Sequence, residues 1–249
     1  MVFYLSKSSQ LLEEPTLQSG IYTGRVIILE DSLVIYDQVA YIDSGFLYTT
    51  VVPKLDKNYE VILDIANFPL ANAKDKVPNM LPDFNIEEVI QLGHNYQLNL
   101  KITDHPYAER YELQCMAIGK EFIGGDSVWT TKQLKFNSND KIFLTNINSF
   151  RTPSRFALFT DDLFSSSVRN IRINVDRSLV DTDVFRAHYF VVQLSSLSEI
   201  YFDYILEIIE NNHVYGGPLA SDSYDAGNVD GGLGIFGAYT YRLDTIPIR

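Results

Sequence analysis

Short apolar bursts separated by turn-like segments set the strongest limit on how this chain can fold. In the first third of the sequence each burst has five to eight residues and is rich in β-branched and aromatic side chains, which favours strands over helices. The bursts read VFYLS, YTGRVIIL, SLVIYDQV, GFLYTTVV and NYEVILDI, and the segments EEP, EDS, DSG and KLDKN between them have turn composition. A spacing of about 8–12 residues between such bursts is typical of an antiparallel sandwich or barrel.

Two prolines interrupt this pattern near residue 80. Pro78 and Pro82 cannot donate ladder hydrogen bonds, so a central strand is disfavoured there. We therefore predict a small Ig-like or transthyretin-like β-sandwich over residues 1–80 and a larger β-sandwich over residues 81–249. The fold class predicted for the whole chain is all-β, with one α-helix that covers the second sandwich.

The second series of strands shows the alternation of a sheet with one buried face and one wet face. In NYQLNLKI, apolar and polar residues alternate strictly. The apolar set is Tyr96, Leu98, Leu100 and Ile102, and the polar set is Asn95, Gln97, Asn99 and Lys101. The segment RNIRINV alternates in the same way, with Arg172 and Asn174 on its polar side.

One segment has helical rather than strand periodicity. In SLSEIYFDYILEIIENNH, apolar residues recur at spacings of three and four, which predicts an amphipathic helix over about residues 197–212. Ser196 followed by Glu199 fits a capping box at its start. We expect the helix to cover an open end or edge of the second sandwich, and docking of a partner protein is the alternative.

Charge and cysteine content exclude several classes of protein. The formal net charge of −12, without a run of Lys or Arg, argues against nucleic acid or anionic lipid as a partner. Cys115 is the single cysteine, so no intramolecular disulfide can form, and its apolar setting predicts a buried thiol. No apolar run approaches the ~18 residues of a membrane span, and the first residues do not resemble a signal peptide. We expect the chain as given to be soluble.

No sequence motif predicts catalysis. The four histidines show no metal-ligand spacing, and no GxSxG nucleophile motif occurs. The pairs Asp161–Asp162 and Asp181/Asp183 lie in turn-like stretches, where acidic residues usually cap turns. We predict a non-enzymatic protein without catalytic residues or a cofactor. A hydrolase whose site is assembled only in three dimensions is the alternative.

A loop rich in Gly, Ser, Asp and Asn follows the predicted helix. Its residues Asp222, Asp225 and Asp230 are weak candidates for calcium ligands, because their spacing misses the EF-hand pattern and no distal glutamate follows. We favour a solvated loop without a metal.

The glycine run NVDGGLGIFGAY lacks the spacing of a phosphate-binding loop. Gly231 and Gly232 are suited to a turn with positive φ. We predict a final strand from Leu233 onwards, with Phe236 buried inside a sheet and Gly234 allowing a neighbouring element to approach closely.

Two aromatic residues are candidates for ligand binding. Trp129 lies in the turn-like GGDSVWTTK, and Tyr215 lies in HVYGGP. Exposed aromatic side chains on a sandwich can hold a glycan or a peptide, and packing at a sandwich edge is the alternative.

Several phrases follow one another in a fixed order along the chain: SGFLYTT, DKNYEVIL and AKDKVP, then ITDHPYAERYELQC, ALFTDDLFSSSVRNIRINV, LSSLSEIYFDYILEI and NVDGGLGIFGAY. Their order resembles that of a known family, the Bacteroidetes outer-membrane lipoproteins grouped as domain of unknown function 4249. The likeness covers nearly the whole chain. Family members normally begin with a lipoprotein signal, an acylated cysteine and an extra strand, which this chain does not show.

The resemblance implies a location and a partner, but no catalytic residue. It implies a protein of the outer-membrane surface, attached only through an N-terminal lipid anchor, that is an accessory to a TonB-dependent nutrient receptor. We expect this non-enzymatic function. The alternative is a stand-alone module that binds or adheres to a glycan or peptide.

Overall fold

Antiparallel β-strands build the described part of the computed structural model, which comprises residues 2–4, 22–42, 46–79, 81–103, 110–144, 154–161, 168–214, 227–232 and 234–248. The elements in chain order are β1 (Val2–Tyr4), β2 (Tyr22–Glu30), β3 (Leu33–Ile42), β4 (Phe46–Tyr48), β5 (Asn58–Ile65), β6 (Ala71–Lys76), β7 (Asp83–Leu92), β8 (Asn95–Thr103), β9 (Arg110–Ile123), β10 (Asp126–Leu134), β11 (Phe136–Asn137), β12 (Phe156–Thr160), β13 (Val168–Asp176), β14 (Phe185–Leu197), α1 (Glu199–Val214), β15 (Val229–Asp230) and β16 (Tyr239–Pro247). The predicted all-β fold with one α-helix is confirmed for these residues. No helix in the described ranges is both long enough and apolar enough to span a membrane.

The chain divides into two compact units. The first comprises Met1–Asn79 and Ser198–Ala238, and the second comprises Met80–Leu197 and Tyr239–Arg249. The first unit contains a five-stranded sheet in the order β15-β6-β5-β2-β3 and a two-stranded sheet of β1 and β4. Its core is formed by Val26, Ile28, Tyr59, Val61, Leu63, Ala73 and Val77. Half-buried residues from the later segment, among them Phe236 and Ala238, pack against this core.

Asp75 connects the later segment to the sheet of the first unit. Its side chain accepts hydrogen bonds from Ser198 Oγ at 2.5 Å and from the Ala238 amide at 2.6 Å. It also accepts one from the Lys76 amide at 2.8 Å. Burial raises the pKa of Asp75, and these three hydrogen bonds offset part of that rise because they stabilise the carboxylate. A buried acid and its donors therefore join two stretches of chain that are distant in sequence.

Ser198 also caps helix α1, since its Oγ accepts a hydrogen bond from the Tyr201 amide at 3.3 Å. The predicted capping box at Ser196 is wrong, because β14 continues to Leu197 and Ser196 is a buried strand residue. The sequence pattern also assigned α1 to the second sandwich. Contacts instead group Ser198–Ala238 with the first unit.

The second unit is a sandwich of two antiparallel sheets around one apolar core. One sheet has the order β10-β9-β14-β16, with β12 also paired to β9, and the other has the order β11-β13-β8-β7. The alternation predicted for β8 is confirmed, because Tyr96, Leu98, Leu100 and Ile102 are buried in the core. Cys115 is fully buried in the same core, as expected, and burial raises the pKa of its thiol to about 12.

The glycine run forms a turn and an irregular segment before the last strand. Gly231 has a φ of +77°, as the predicted turn requires. Gly234 has a φ of +128°. A strand was predicted from Leu233 onwards, but β16 begins only at Tyr239, so the prediction is wrong for residues 235–238. Leu233 itself lies outside the described residues.

An asparagine side chain replaces the strand partner that this irregular segment lacks. Asn228 Oδ1 accepts a hydrogen bond from the Phe236 amide at 2.8 Å, and Asn228 Nδ2 donates to the Phe236 carbonyl at 2.9 Å. Phe236 is therefore half-buried on the core of the first unit and not inside a sheet. The close approach predicted at Gly234 occurs at Gly237, where a Cβ would collide with the ring of Tyr201 in α1.

Candidate functional site

Trp129 lies on the outer face of the larger sheet in the second unit. It is the residue of β10 that pairs with Lys120 of β9, and its side chain is 55% exposed. Lys120 Nζ lies 5.6 Å from the centroid of the indole ring, a cation–π distance. The His188 ring also lies near the indole, with 5.1 Å between the ring centroids. Trp129 therefore has two basic side chains close to its ring and is still 55% exposed.

A β-bulge in β14 brings His188 to this position. Ala187 pairs with Gly119 and Tyr189 pairs with Ile118, so His188 is an extra residue without a partner in β9. Gly119 permits the bulge, because a Cβ at this position would collide with the carbonyl oxygen of Arg186. The contact between His188 and Trp129 thus depends on the absence of a side chain on the strand between them.

Exposed aromatic and aliphatic side chains extend across the same sheet face. The strand registers place Tyr189 of β14 and Leu243, Tyr241 and Tyr239 of β16 on the face that carries Trp129. All of these side chains are exposed, and the rings of Tyr239 and Tyr241 lie 6.2 Å apart. We call this set, Trp129, Tyr189, Tyr239, Tyr241 and Leu243, the aromatic face. Trp129 and Tyr189 lie at one end of this face, level with Lys120 and Ile118 of β9, whereas Tyr239 and Tyr241 lie at the other end.

The Trp129 end of the aromatic face is basic. Arg186 pairs with Lys120 across the strands, which adds a third basic side chain beside His188. Arg186 has only a distant contact to Asp181, at 3.9 Å, and Lys120 forms no ion pair with a carboxylate of the described residues. On the sheet face that carries Trp129, the acidic residue of β9 is Glu112, which lies near the opposite end of that strand. Burial raises the pKa of Glu112, with a hydrogen bond from Gln114 opposing the rise.

The other residues singled out by the sequence are not brought to the aromatic face. Asp230 is an exposed residue of β15 in the first unit, where it pairs with Asn72. Tyr215, Asp222 and Asp225 lie outside the described residues. Within the described ranges, no three His, Cys, Asp or Glu side chains are grouped so that they could hold a metal ion.

Sequence reasoning selected Trp129 but missed its neighbours. Lys120 and His188 lie on two other strands, and only the strand registers bring them to Trp129. Gly119, an isolated glycine inside a strand pattern, was the available signal, since such glycines often mark a bulge or a close approach of two backbones.

The fold and this surface define an all-β protein whose second unit presents an aromatic, locally basic sheet face. The chain belongs to the family described as Domain of unknown function (DUF4249), whose sequence profile matches residues 1–244. No curated protein shows significant similarity to it.

A solved structure is also similar, that of a protein from Corynebacterium diphtheriae assigned as membrane anchored. The identity is 11% and the TM-score is 0.20, and the match covers 70% of this chain and 47% of the other. The chain therefore spans about half the length of that protein.

Proposed function

We propose that this protein is a non-enzymatic binding module of the cell envelope, and that its aromatic face holds a glycan or a peptide at Trp129. The observation that carries the proposal is the exposure of Trp129, which is 55% although Lys120 and His188 contact its indole ring. A flat, exposed ring held between neighbouring side chains offers contact area at little cost in conformational entropy. The basic side chains around it favour ligands that carry negative charge.

Binding to a glycan and peptide array tests this proposal, with the wild-type chain compared to Trp129→Ala. We expect Trp129→Ala to weaken binding to the recognised ligand about 10-fold or more, as for a central aromatic contact. Tyr41→Ala is the matched control, because Tyr41 is 75% exposed on β3 of the first unit. Equal binding by wild type and Trp129→Ala, or an equal loss in Tyr41→Ala, would contradict the proposed site.

A second proposal concerns the setting of the module. We propose that the native protein is a lipid-anchored protein of the Bacteroidetes outer-membrane surface and assists a TonB-dependent nutrient receptor. Membership of the family supports it. So does the exposure of apolar side chains on β3, where Val34, Val39 and Tyr41 are all open to solvent, as is usual for surfaces that a protein partner covers.

Extraction of the anchored protein from membranes in mild detergent tests this setting. We expect a TonB-dependent receptor to co-purify with the wild-type protein and to be lost with Val39→Asp. Trp129→Ala should retain the receptor, which separates this proposal from ligand binding at the aromatic face. Repeated extraction without any receptor would overturn the accessory function.

A further inference from the structure

A solvent-open cavity lined by polar and charged residues lies in the second unit, on a different sheet from the aromatic face. It has a volume of about 510 Å³ and is lined by β8, β13 and the segment that follows β11. Four carboxamide side chains contribute to its lining: Gln97, Asn139, Asn170 and Asn174. The cavity therefore opens from the wet face of the strands whose alternation is visible in the sequence.

Hydrogen bonds hold the wall of this cavity in place. Ser138 is fully buried, and its Oγ donates to the Arg172 carbonyl at 2.5 Å and accepts from the Asp140 amide at 3.0 Å. Asp140 Oδ1 in turn accepts from Arg169 Nη2 at 2.8 Å and from the Ile142 amide at 3.3 Å. The segment after β11 is thus fixed to β13, which preorganises the side chains that it presents.

The cavity is basic although the chain as a whole is acidic. Among the described lining residues, Lys141, Arg169 and Arg172 contribute three positive charges and Asp140 contributes one negative charge, which leaves an excess of two positive charges. Asp140 is engaged by Arg169. Lys141 and Arg172 are exposed and form no ion pair with a carboxylate of the described residues. In a chain with net charge −12, this excess attracts an anion to one place.

We propose that this cavity binds an acidic sugar, a ligand with several hydroxyl groups and a carboxylate. Each carboxamide offers a donor and an acceptor, the combination that matches sugar hydroxyls. The guanidinium of Arg172 and the ammonium of Lys141 offer charge-assisted hydrogen bonds to a carboxylate. Its volume of about 510 Å³ is sufficient for a small ligand, one side of which would stay exposed because the cavity is open to solvent. All eight described lining residues are polar or charged, so their donors and acceptors favour a hydrophilic ligand.

Isothermal titration with digalacturonic acid tests this site, with the dimethyl ester of the same disaccharide as the neutral comparison. We expect the acid to bind the wild-type protein and the ester to bind about 10- to 100-fold more weakly, as for the loss of a hydrogen bond to a charged group. Arg172→Gln and Lys141→Gln should each weaken binding of the acid by a similar factor. Lys135→Gln removes the same charge from an exposed position outside the lining and should have no effect.

Trp129→Ala serves as a second control, because it lies on the other sheet and should leave binding of digalacturonic acid unchanged. A loss in Trp129→Ala with none in Arg172→Gln would overturn the cavity site and assign the sugar to the aromatic face. Equal affinity for the acid and its ester would also overturn the proposal. So would binding of sodium acetate as tight as that of digalacturonic acid, since the hydroxyl groups would then contribute nothing.

Discussion

Removing the carboxylate of Asp75 should destabilise the first unit more than removing an exposed carboxylate from the same sheet. Asp75 is 6% exposed and accepts three hydrogen bonds, from Ser198 Oγ and from the amides of Ala238 and Lys76. In Asp75→Ala the Ala238 amide and the Ser198 hydroxyl lose their acceptor. A buried donor without a partner costs about 1–3 kcal/mol. Lys76 is exposed, so water can replace its bond. We therefore expect the free energy of unfolding to fall by about 2–4 kcal/mol.

Urea unfolding followed by far-ultraviolet circular dichroism measures this loss, and hydrogen exchange of peptides from α1 locates it. Exchange in α1 should accelerate, because Ser198 caps this helix and also donates to Asp75. Asp37→Ala is the matched control, since Asp37 forms an exposed ion pair with Arg25 in the same sheet. Exposed pairs contribute little to stability. Equal unfolding midpoints for Asp75→Ala and Asp37→Ala would refute the reasoning.

The raised pKa of Asp75 adds a pH dependence with a defined sign. Its folded-state pKa exceeds its unfolded value, so the folded state binds the proton more tightly. The part of the stability that depends on protonation of Asp75 is therefore complete below the unfolded pKa, near 3.8, and is lost as the pH rises through the folded pKa, whereas the hydrogen bonds to its carboxylate remain. The difference in unfolding free energy between wild type and Asp75→Asn isolates this term from the other acids. A difference that stays constant from pH 3 to neutral would contradict it.

Two further predictions concern the second unit. Cys115 should react with a thiol reagent only as fast as the protein unfolds, because its thiol is fully buried and burial raises its pKa to about 12. Reaction in native buffer at the rate of a free thiol would contradict this prediction. Gly119→Ala should lower the free energy of unfolding by about 1–3 kcal/mol, because its methyl group would collide with the bulged backbone at Arg186. The fluorescence of Trp129, the single tryptophan, follows unfolding in a urea titration, and its spectrum should shift because His188 moves. An unchanged spectrum and unfolding midpoint would show that the bulge tolerates a side chain.

The fold was predictable from sequence wherever period-two alternation decides burial. In β8 each second residue is apolar, and a shift by one residue would expose all four of the buried side chains. The pattern could not locate Ser198 as the helix cap, because Ser196 and Ser198 are both suitable residues and only the length of β14 separates them. It could not place Phe236 either, since the side chain of Asn228 satisfies the backbone that a neighbouring strand was expected to pair.

The candidate sites were less predictable because they depend on the pairing of distant strands. Trp129 was selected by residue type, but its contact with His188 needs a bulge in β14, and a bulge breaks the alternation on which sequence reasoning depends. The polar residues of β8 and β13 were visible as two wet strand faces. Their convergence into a cavity requires the register that pairs Gln97 with Asn174, and no local pattern reports that register.

The two ends of the segment Ser198–Ala238 leave and rejoin the second unit at paired positions, since Leu197 of β14 lies opposite Tyr239 of β16. During synthesis from the N-terminus, strands β2, β3, β5 and β6 of the first unit emerge well before this segment, which supplies β15, and Ser198 follows Asp75 by 123 residues. Asp75 must therefore remain hydrated, without its hydroxyl donor, until nearly the whole chain has left the ribosome. Closing so long a loop is slow relative to forming hairpins. The unit that is made first is consequently the one whose native hydrogen bonds are completed late.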